Sequence, residues 1–244
     1  MIGRIFALLL VLQTLGGQSN AAEFIISSQS NDHYLRIDMA GAIDPGDLFK
    51  LMSALNQVKY DKASKIRNAI VFLDSEGGDL TEALKIGRFL RAQRLRTGIA
   101  SGAQCASACA YVFLGGTQRY YALAHRQKSS AGGLGVHAFR IGSNQSSYSA
   151  EEARRQIQRA QREMFELVKY FREMDADPRL LTLAVATEPP ELHWVTNSEA
   201  IEFCIFVWDE KARAKFNPIN PYKIREATGL QANGSWQRSN CRNP

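Results

Sequence analysis

Two strand-to-helix junctions constrain the fold of this 244-residue chain. Ala69-Ile70-Val71-Phe72-Leu73 is a continuous apolar run, the pattern of a strand buried on both faces. It ends in Asp74-Ser75-Glu76-Gly77-Gly78-Asp79, ahead of the amphipathic stretch Thr81 to Gln93. Thr97-Gly98-Ile99-Ala100 reads as a short strand, and beyond it Cys105-Ala106-Ser107-Ala108-Cys109 runs into an apolar, small-residue helix from Ala106 to Leu114. One turn carries a glycine pair and the other a serine among small residues. Their separation suits one βαβ crossover, which sets both turns at the same sheet edge, where such folds hold ligands.

The remaining pattern agrees. Glu23 to Met39 reads as two short strands, and Asp47 to Val58 as a helix with Leu48, Leu51, Met52 and Leu55 on one face. Arg119-Tyr120-Tyr121-Ala122 and Val136-His137-Ala138-Phe139 are strand candidates. Tyr148 to Asp175 is the longest helix signal, opening on a cap at Ser149 with Glu151 and Glu152 behind it. Asp177 to Ala186 and Ser198 to Phe203 are shorter helices, and Ile205 to Trp208 is a last strand. Alternation from Asp47 to about Trp208 predicts one α/β domain with a mostly parallel sheet. The expected division is residues 1–22 as a leader, 23–210 as the domain and 211–244 as a polar C-terminal tail.

The junction residues supply the minimum parts for acyl transfer: a hydroxyl on Ser107, an imidazole on His137, and unencumbered backbone donors at Gly78 and Ala108. Each has a plainer reading, as a tight βα turn, a small-residue packing helix or a structural histidine. His33, His125 and His193 have no comparable setting, although His193 lies close to the end of the candidate site segment. No Gly-x-Gly-x-x-Gly run supports a dinucleotide site.

The N-terminus reads as an export signal. Met1 to Arg4 is a short basic start, Ile5 to Leu15 is mostly apolar, and Ser19-Asn20-Ala21-Ala22 offers small residues for cleavage. That run is shorter than the ~20 residues of a transmembrane helix, so no stable membrane span is expected after its removal. The expected location is the periplasm or the medium. Four cysteines suit that compartment, with Cys105–Cys109 and Cys204–Cys241 the expected bridges. On one helix turn, Cys105 and Cys109 would stand about 6 Å apart, within bridging range. No histidine stands at metal-ligand spacing from either pair, so no metal is expected. The net charge is +6. Its arginine clusters, Arg88/Arg91/Arg94/Arg96 and Arg154/Arg155/Arg159/Arg162, fall on predicted amphipathic helices and read as solvated faces, not as a nucleic-acid site.

The ordered motifs Asp74-Ser75-Glu76-Gly77-Gly78, Gly102-Ala103-Gln104-Cys105-Ala106-Ser107-Ala108 and His137 resemble the Clp protease proteolytic subunit and its relatives in the ClpP/crotonase superfamily. The likeness covers about Ile70 to Trp208 and, with the leader, looks most like periplasmic Clp-like proteins. It implies stacked ββα units, a serine peptidase without cofactor, and peptide or unfolded-protein substrates. It makes Ser107 the nucleophile, His137 the general base, and the Gly78 and Ala108 N–H groups the oxyanion hole. It also implies a homo-oligomer built through the long helix, whose Ile157, Met164, Phe165, Val168 and Phe171 would face a partner. The chain departs from the family at Glu76, where a proline is usual, at the cysteines flanking Ser107, and in a longer loop between Tyr121 and His137. The family's acid aligns with Leu192. Glu191 is one residue away and becomes the candidate third member, with Glu188 behind it. Two other readings stay open: a Clp-like binding or assembly module without activity, and acyl-CoA chemistry of the crotonase kind.

The leader reading has a direct outcome. N-terminal sequencing of natively exported protein should return Ala22 or Glu23 as the first residue, and Met1 would refute it.

Overall fold

The computed structural model describes residues 21–27, 35–58, 69–122, 132–139 and 149–208. Residues 1–20, the tail beyond Trp208 with Cys241, and His33 and His125 lie outside the described residues.

A six-stranded sheet forms the body, in the order β1 (Glu23–Ser27), β2 (Arg36–Ala40), β3 (Ile70–Asp74), β4 (Arg96–Ile99), β6 (Arg119–Ala122) and β9 (Phe206–Trp208). β1 runs antiparallel to β2, and every other pair is parallel. Alternation sorts the faces. Ile37, Met39, Val71, Leu73 and Ile99 enter the main core, whereas Ile70, Phe72 and Tyr120 form a small cluster on the opposite face. A second sheet of three strands stands beside the first: β5 (Gln104–Ala106), β7 (Gly133–Val136) and β8 (His193–Trp194), with β7 parallel to β5 and antiparallel to β8. The chain is thus α/β and mostly parallel, as the sequence predicts, but it divides its strands between two sheets. β5 and β8 are too short and too mixed in composition to announce themselves.

Six helices complete the described fold: α1 (Asp47–Asn56), α2 (Leu80–Ala92), α3 (Ala108–Leu114), α4 (Ala150–Glu173), α5 (Pro178–Ala186) and α6 (Asn197–Glu202). All seven residues of α3 are buried, as its apolar, small composition requires. α2 and α3 touch backbone to backbone. A Cβ on Gly115 would stand 2.4 Å from the Gly87 Cα, and one on Gly87 would meet the Tyr170 hydroxyl at 1.7 Å, so only glycine fits either place. The space that Gly87 leaves open admits Tyr170 of α4, whose hydroxyl donates to the Tyr111 carbonyl. Its neighbour Phe171 is 4% exposed and packs edge-on against Tyr111. Phe171 therefore belongs to its own subunit's core and leaves the expected partner face. Ile157, Phe165 and Val168 stay 60%, 66% and 45% exposed.

The arginines of α2 and β6 close helix ends. Arg91 and Arg119 both donate to the carbonyls of Leu114 and Met174, at the C-termini of α3 and α4. Buried there, with Arg91 beside it, Arg119 has its pKa pushed down to about 10. Arg88 reaches Glu173 and Glu166 on α4. The reading of Arg88 and Arg91 as a solvated face is therefore corrected: both tie α2 to the rest of the fold.

The loop between β2 and α1 matters for the site, and a buried carboxylate holds it. Glu82 of α2 accepts hydrogen bonds from the N–H groups of Gly46 and Leu48, at the start of α1, and pairs with Lys85. Burial alone would raise the Glu82 pKa, but the N–H groups of Leu48 and Gly46 and the Lys85 ammonium outweigh it and hold the group below its ordinary 4.5. A depressed carboxylate pKa contributes stability that is complete above the unfolded-state value and is lost as pH falls through the folded value. Glu82→Gln should therefore cost about 2 kcal/mol at pH 7. Denaturant unfolding of both proteins should find that deficit shrinking towards zero as the pH falls from 4.5 through the lower folded-state value.

Candidate functional site

β3 does not end when it leaves its own sheet. Ser75, one residue on, pairs with Cys105 of β5 in a parallel bridge. The Ser75 N–H donates to the Gln104 carbonyl at 2.8 Å, and the Ala106 N–H to the Ser75 carbonyl at 2.9 Å. This link brings the glycine turn of one sheet against the serine turn of the other. Gly77 takes φ +106°, and a Cβ there would lie 2.7 Å from both the Ala106 carbonyl and the Ser107 Cβ, and 3.0 Å from the Ala108 nitrogen. Gly78 takes φ +142°, and its missing side chain makes room for the Ile43 carbonyl. The pair is glycine because backbone crosses backbone on both sides.

One hydrogen bond orients the first donor. The Ile43 N–H donates to the Gly77 carbonyl at 2.8 Å, and the Ile43 carbonyl accepts from Asp79. Carbonyl and N–H of one trans peptide point in opposite directions. With the Gly77 oxygen turned to Ile43, the Gly78 N–H faces away from that loop. It has no partner among the described residues, and Gly78 is exposed. The Gly77 N–H is already taken by the Ser75 hydroxyl at 3.1 Å. The second donor, the Ala108 N–H, begins α3 and has no partner among the described residues either. Glu76 and the N-cap carboxylate of Asp79, which accepts from Glu82 at 2.7 Å, bring negative charge to the same turn. The donors that this turn itself offers an oxyanion are the two N–H groups.

Ser107 sits between β5 and α3 with φ +55° and ψ −124°, a conformation that costs an L-residue about 1–3 kcal/mol. Its N–H donates to the Gly135 carbonyl at 2.9 Å. Its hydroxyl makes no capping bond to α3, and the residue is half-buried. His137 is also half-buried and lies one residue past the end of β7, not inside a strand as predicted. Its Nδ1 is 2.6 Å from the Ala138 carbonyl. That contact assigns the proton to Nδ1 and leaves Nε2 with its lone pair, the tautomer a general base needs. No hydrogen bond joins His137 to Ser107.

No carboxylate is hydrogen-bonded to His137 among the described residues. The ladder pairs Gly135 with Trp194 and Val136 with His193, so its continuation sets His137 across from Leu192. Glu191 and Glu188 are exposed, linked by a backbone bond from the Glu191 N–H to the Glu188 carbonyl. His193 is committed elsewhere: its Nε2 is 3.0 Å from Glu199, which caps α6 through Thr196. Burial would raise the Glu199 pKa, but the Thr196 backbone and hydroxyl and His193 together hold it below the usual range.

Cys105 and Cys109 are disulfide-bonded, with Cα atoms 5.1 Å apart. They are not on one helix turn, as expected, but on β5 and α3, either side of Ser107. Cys204 is disulfide-bonded as well, and Cys241 lies outside the described residues. No group of three or more His, Cys, Asp or Glu able to hold a metal occurs among the described residues, and none of their helices is long and apolar enough to cross a membrane. Three supporting residues escape sequence reasoning. Ser75 lies within the glycine-turn motif, but nothing in the motif marks its hydroxyl as a partner of Gly77. Ile43 and the Ala138 carbonyl act through backbone atoms that carry no sequence signal.

No family model matches the chain, and no curated protein matches it. Among solved structures, it is similar to a serine-to-alanine mutant of the 1510-N membrane-bound stomatin-specific protease, at 15% identity, covering 70% of this chain and 76% of that one with a TM-score of 0.45.

Proposed function

We propose that this protein is an exported serine hydrolase of the ClpP/crotonase type, acting on peptides or unfolded protein segments. The observation that carries the reading is the strained Ser107, held at a strand-to-helix turn against Gly77, with the N–H groups of Gly78 and Ala108 unpartnered among the described residues. In this reading Ser107 Oγ attacks a carbonyl carbon and its proton passes to His137 Nε2. The new oxyanion accepts from Gly78 and Ala108; as it collapses the C–N bond breaks and His137 gives its proton to the leaving amine. A water deprotonated by His137 then splits the acyl-enzyme ester, releasing the acid and restoring Ser107. No cofactor takes part. Glu191 is the candidate acid. The Ala138 carbonyl already holds the imidazole tautomer, so the carboxylate would add charge stabilisation to the imidazolium and little orientation.

A second reading has its own observation. The imidazole bonds to a carbonyl instead of a carboxylate, and no bond links it to Ser107. A chain that kept the turn and lost the acid would be a binding or assembly module. A fluorophosphonate probe separates the two. Wild-type protein should be labelled at Ser107, with Ser107→Ala abolishing labelling while its stability stays within about 0.5 kcal/mol. An unlabelled wild type would favour the module. Glu191→Gln should slow labelling less than about tenfold, against the ~10⁴-fold loss that follows when a buried triad acid is neutralised.

Self-association is the second part of the proposal. Ile157, Phe165 and Val168 form an outward stripe on α4 that a partner's α4 would cover about a two-fold axis. Ile157→Asp with Phe165→Asp should lower the molar mass measured by light scattering and leave the far-UV circular dichroism unchanged. A monomeric wild type at micromolar concentration would refute the assembly. Phe171 stays untouched in this test because it lies in the subunit core.

A further inference from the structure

The backbone at Ser107 is denied both of its relaxed alternatives. A regular helix beginning at Ser107 would need a negative φ. The Ser107 N–H is pinned to the Gly135 carbonyl of β7, so turning φ would swing the whole of α3, whose seven residues are all buried. The parallel ladder fixes the strand side of that pivot, with Gln104, Cys105 and Ala106 registered against Gly133, Leu134 and Gly135. The other alternative, an extended continuation of β5, would carry Cys109 about 13 Å from Cys105. The disulfide holds the two Cα atoms at 5.1 Å and forbids it. Ladder and bridge together leave the sharp, positive-φ turn that Ser107 occupies. Both cysteines are 0% exposed, which makes the bridge a permanent part of the turn. The same turn sets the Ala108 nitrogen beside Gly77.

We propose that Cys105 and Cys109 are positioning residues for Ser107: their bridge, closed across the serine, keeps it in the left-handed turn and keeps the Ala108 N–H aimed into the oxyanion site. The proposal rests on the reading of Ser107 as the nucleophile, but half of its test does not.

That half measures strain alone. Glycine adopts a positive φ without the penalty that alanine meets. In the bridged protein Ser107→Gly should melt roughly 2–4 °C above Ser107→Ala. In the Cys105→Ala/Cys109→Ala background the turn is free to relax, and that advantage should shrink to within about 1 °C. The other half measures function. With a fluorophosphonate probe, the double variant retaining Ser107 should show a maximal labelling rate at least tenfold below wild type, with an unchanged half-saturating probe concentration. A general loss of structure would instead disturb both. Equal labelling rates together with an undiminished glycine advantage would overturn the proposal. If the double variant does not fold, the near-isosteric Cys105→Ser/Cys109→Ser protein takes its place in both comparisons; in the bridged protein, no glycine advantage means no strain for the bridge to hold, and the idea fails. If wild-type protein is not labelled at all, the hydrolase reading falls, while the melting comparison continues to report on the clamp.

Discussion

Two backbone hydrogen bonds at Ser75 connect everything that follows. The chain builds two sheets, and without a link their edges would present the glycine turn and the serine turn to different surroundings. Ser75 donates to Gln104 and accepts from Ala106, so β3 is extended by one residue into the second sheet. The bonds are local, but their effect is to bring Gly77 so close to Ser107 that a Cβ on Gly77 would fall 2.7 Å from the Ser107 Cβ. The Ser75 side chain completes the join: at 1% exposure its hydroxyl has taken the Gly77 N–H, which leaves Gly78 as the donor that remains open.

The electrostatic character of the site follows from which backbone groups are already satisfied. Gly77 contributes its carbonyl to Ile43 and its N–H to Ser75, so both of its polar groups are spent on architecture. Gly78 and Ala108 keep theirs. A buried, unpaired N–H is costly in a folded protein unless a ligand or water satisfies it. At Ala108, 3% exposed, that cost is met at a position where a carbonyl oxygen could be received.

The α/β class, the mostly parallel pairing and most helices were legible in the sequence because they rest on periodicity, which long segments repeat often enough to average out exceptions. The two-sheet division was not legible. β5 is three residues and β8 two, and a strand that short has no period to read. The candidate donors were legible as glycine and alanine at turns, since steric tolerance is a property of residue type. Their orientation was not, because Ile43 and Ala138 act through main-chain atoms that any residue possesses. Phe171 was misassigned to an interface for a related reason. An apolar stripe wider than one packing surface looks uniform in sequence, and only the gap left by Gly87, which seats Tyr170 beside it, reveals which edge turns inward.

The contact between Gly87 and Gly115 has a consequence for how the donors behave in time. Gly87 lies seven residues into α2 and Gly115 just past the end of α3, about 10 Å along each helix from its start. The same two helices begin beside Gly78 and Ala108. Two helices touching backbone to backbone about 10 Å from their starts, and meeting through Gly77 and Ser107 at those starts, have little freedom to slide or splay. The helix pair thus helps to set the spacing between the two N–H groups, beside the ladder and the bridge at Ser107. A ligand that used both groups would then lose little affinity to conformational selection, because a receptor already in its binding geometry carries no such reduction.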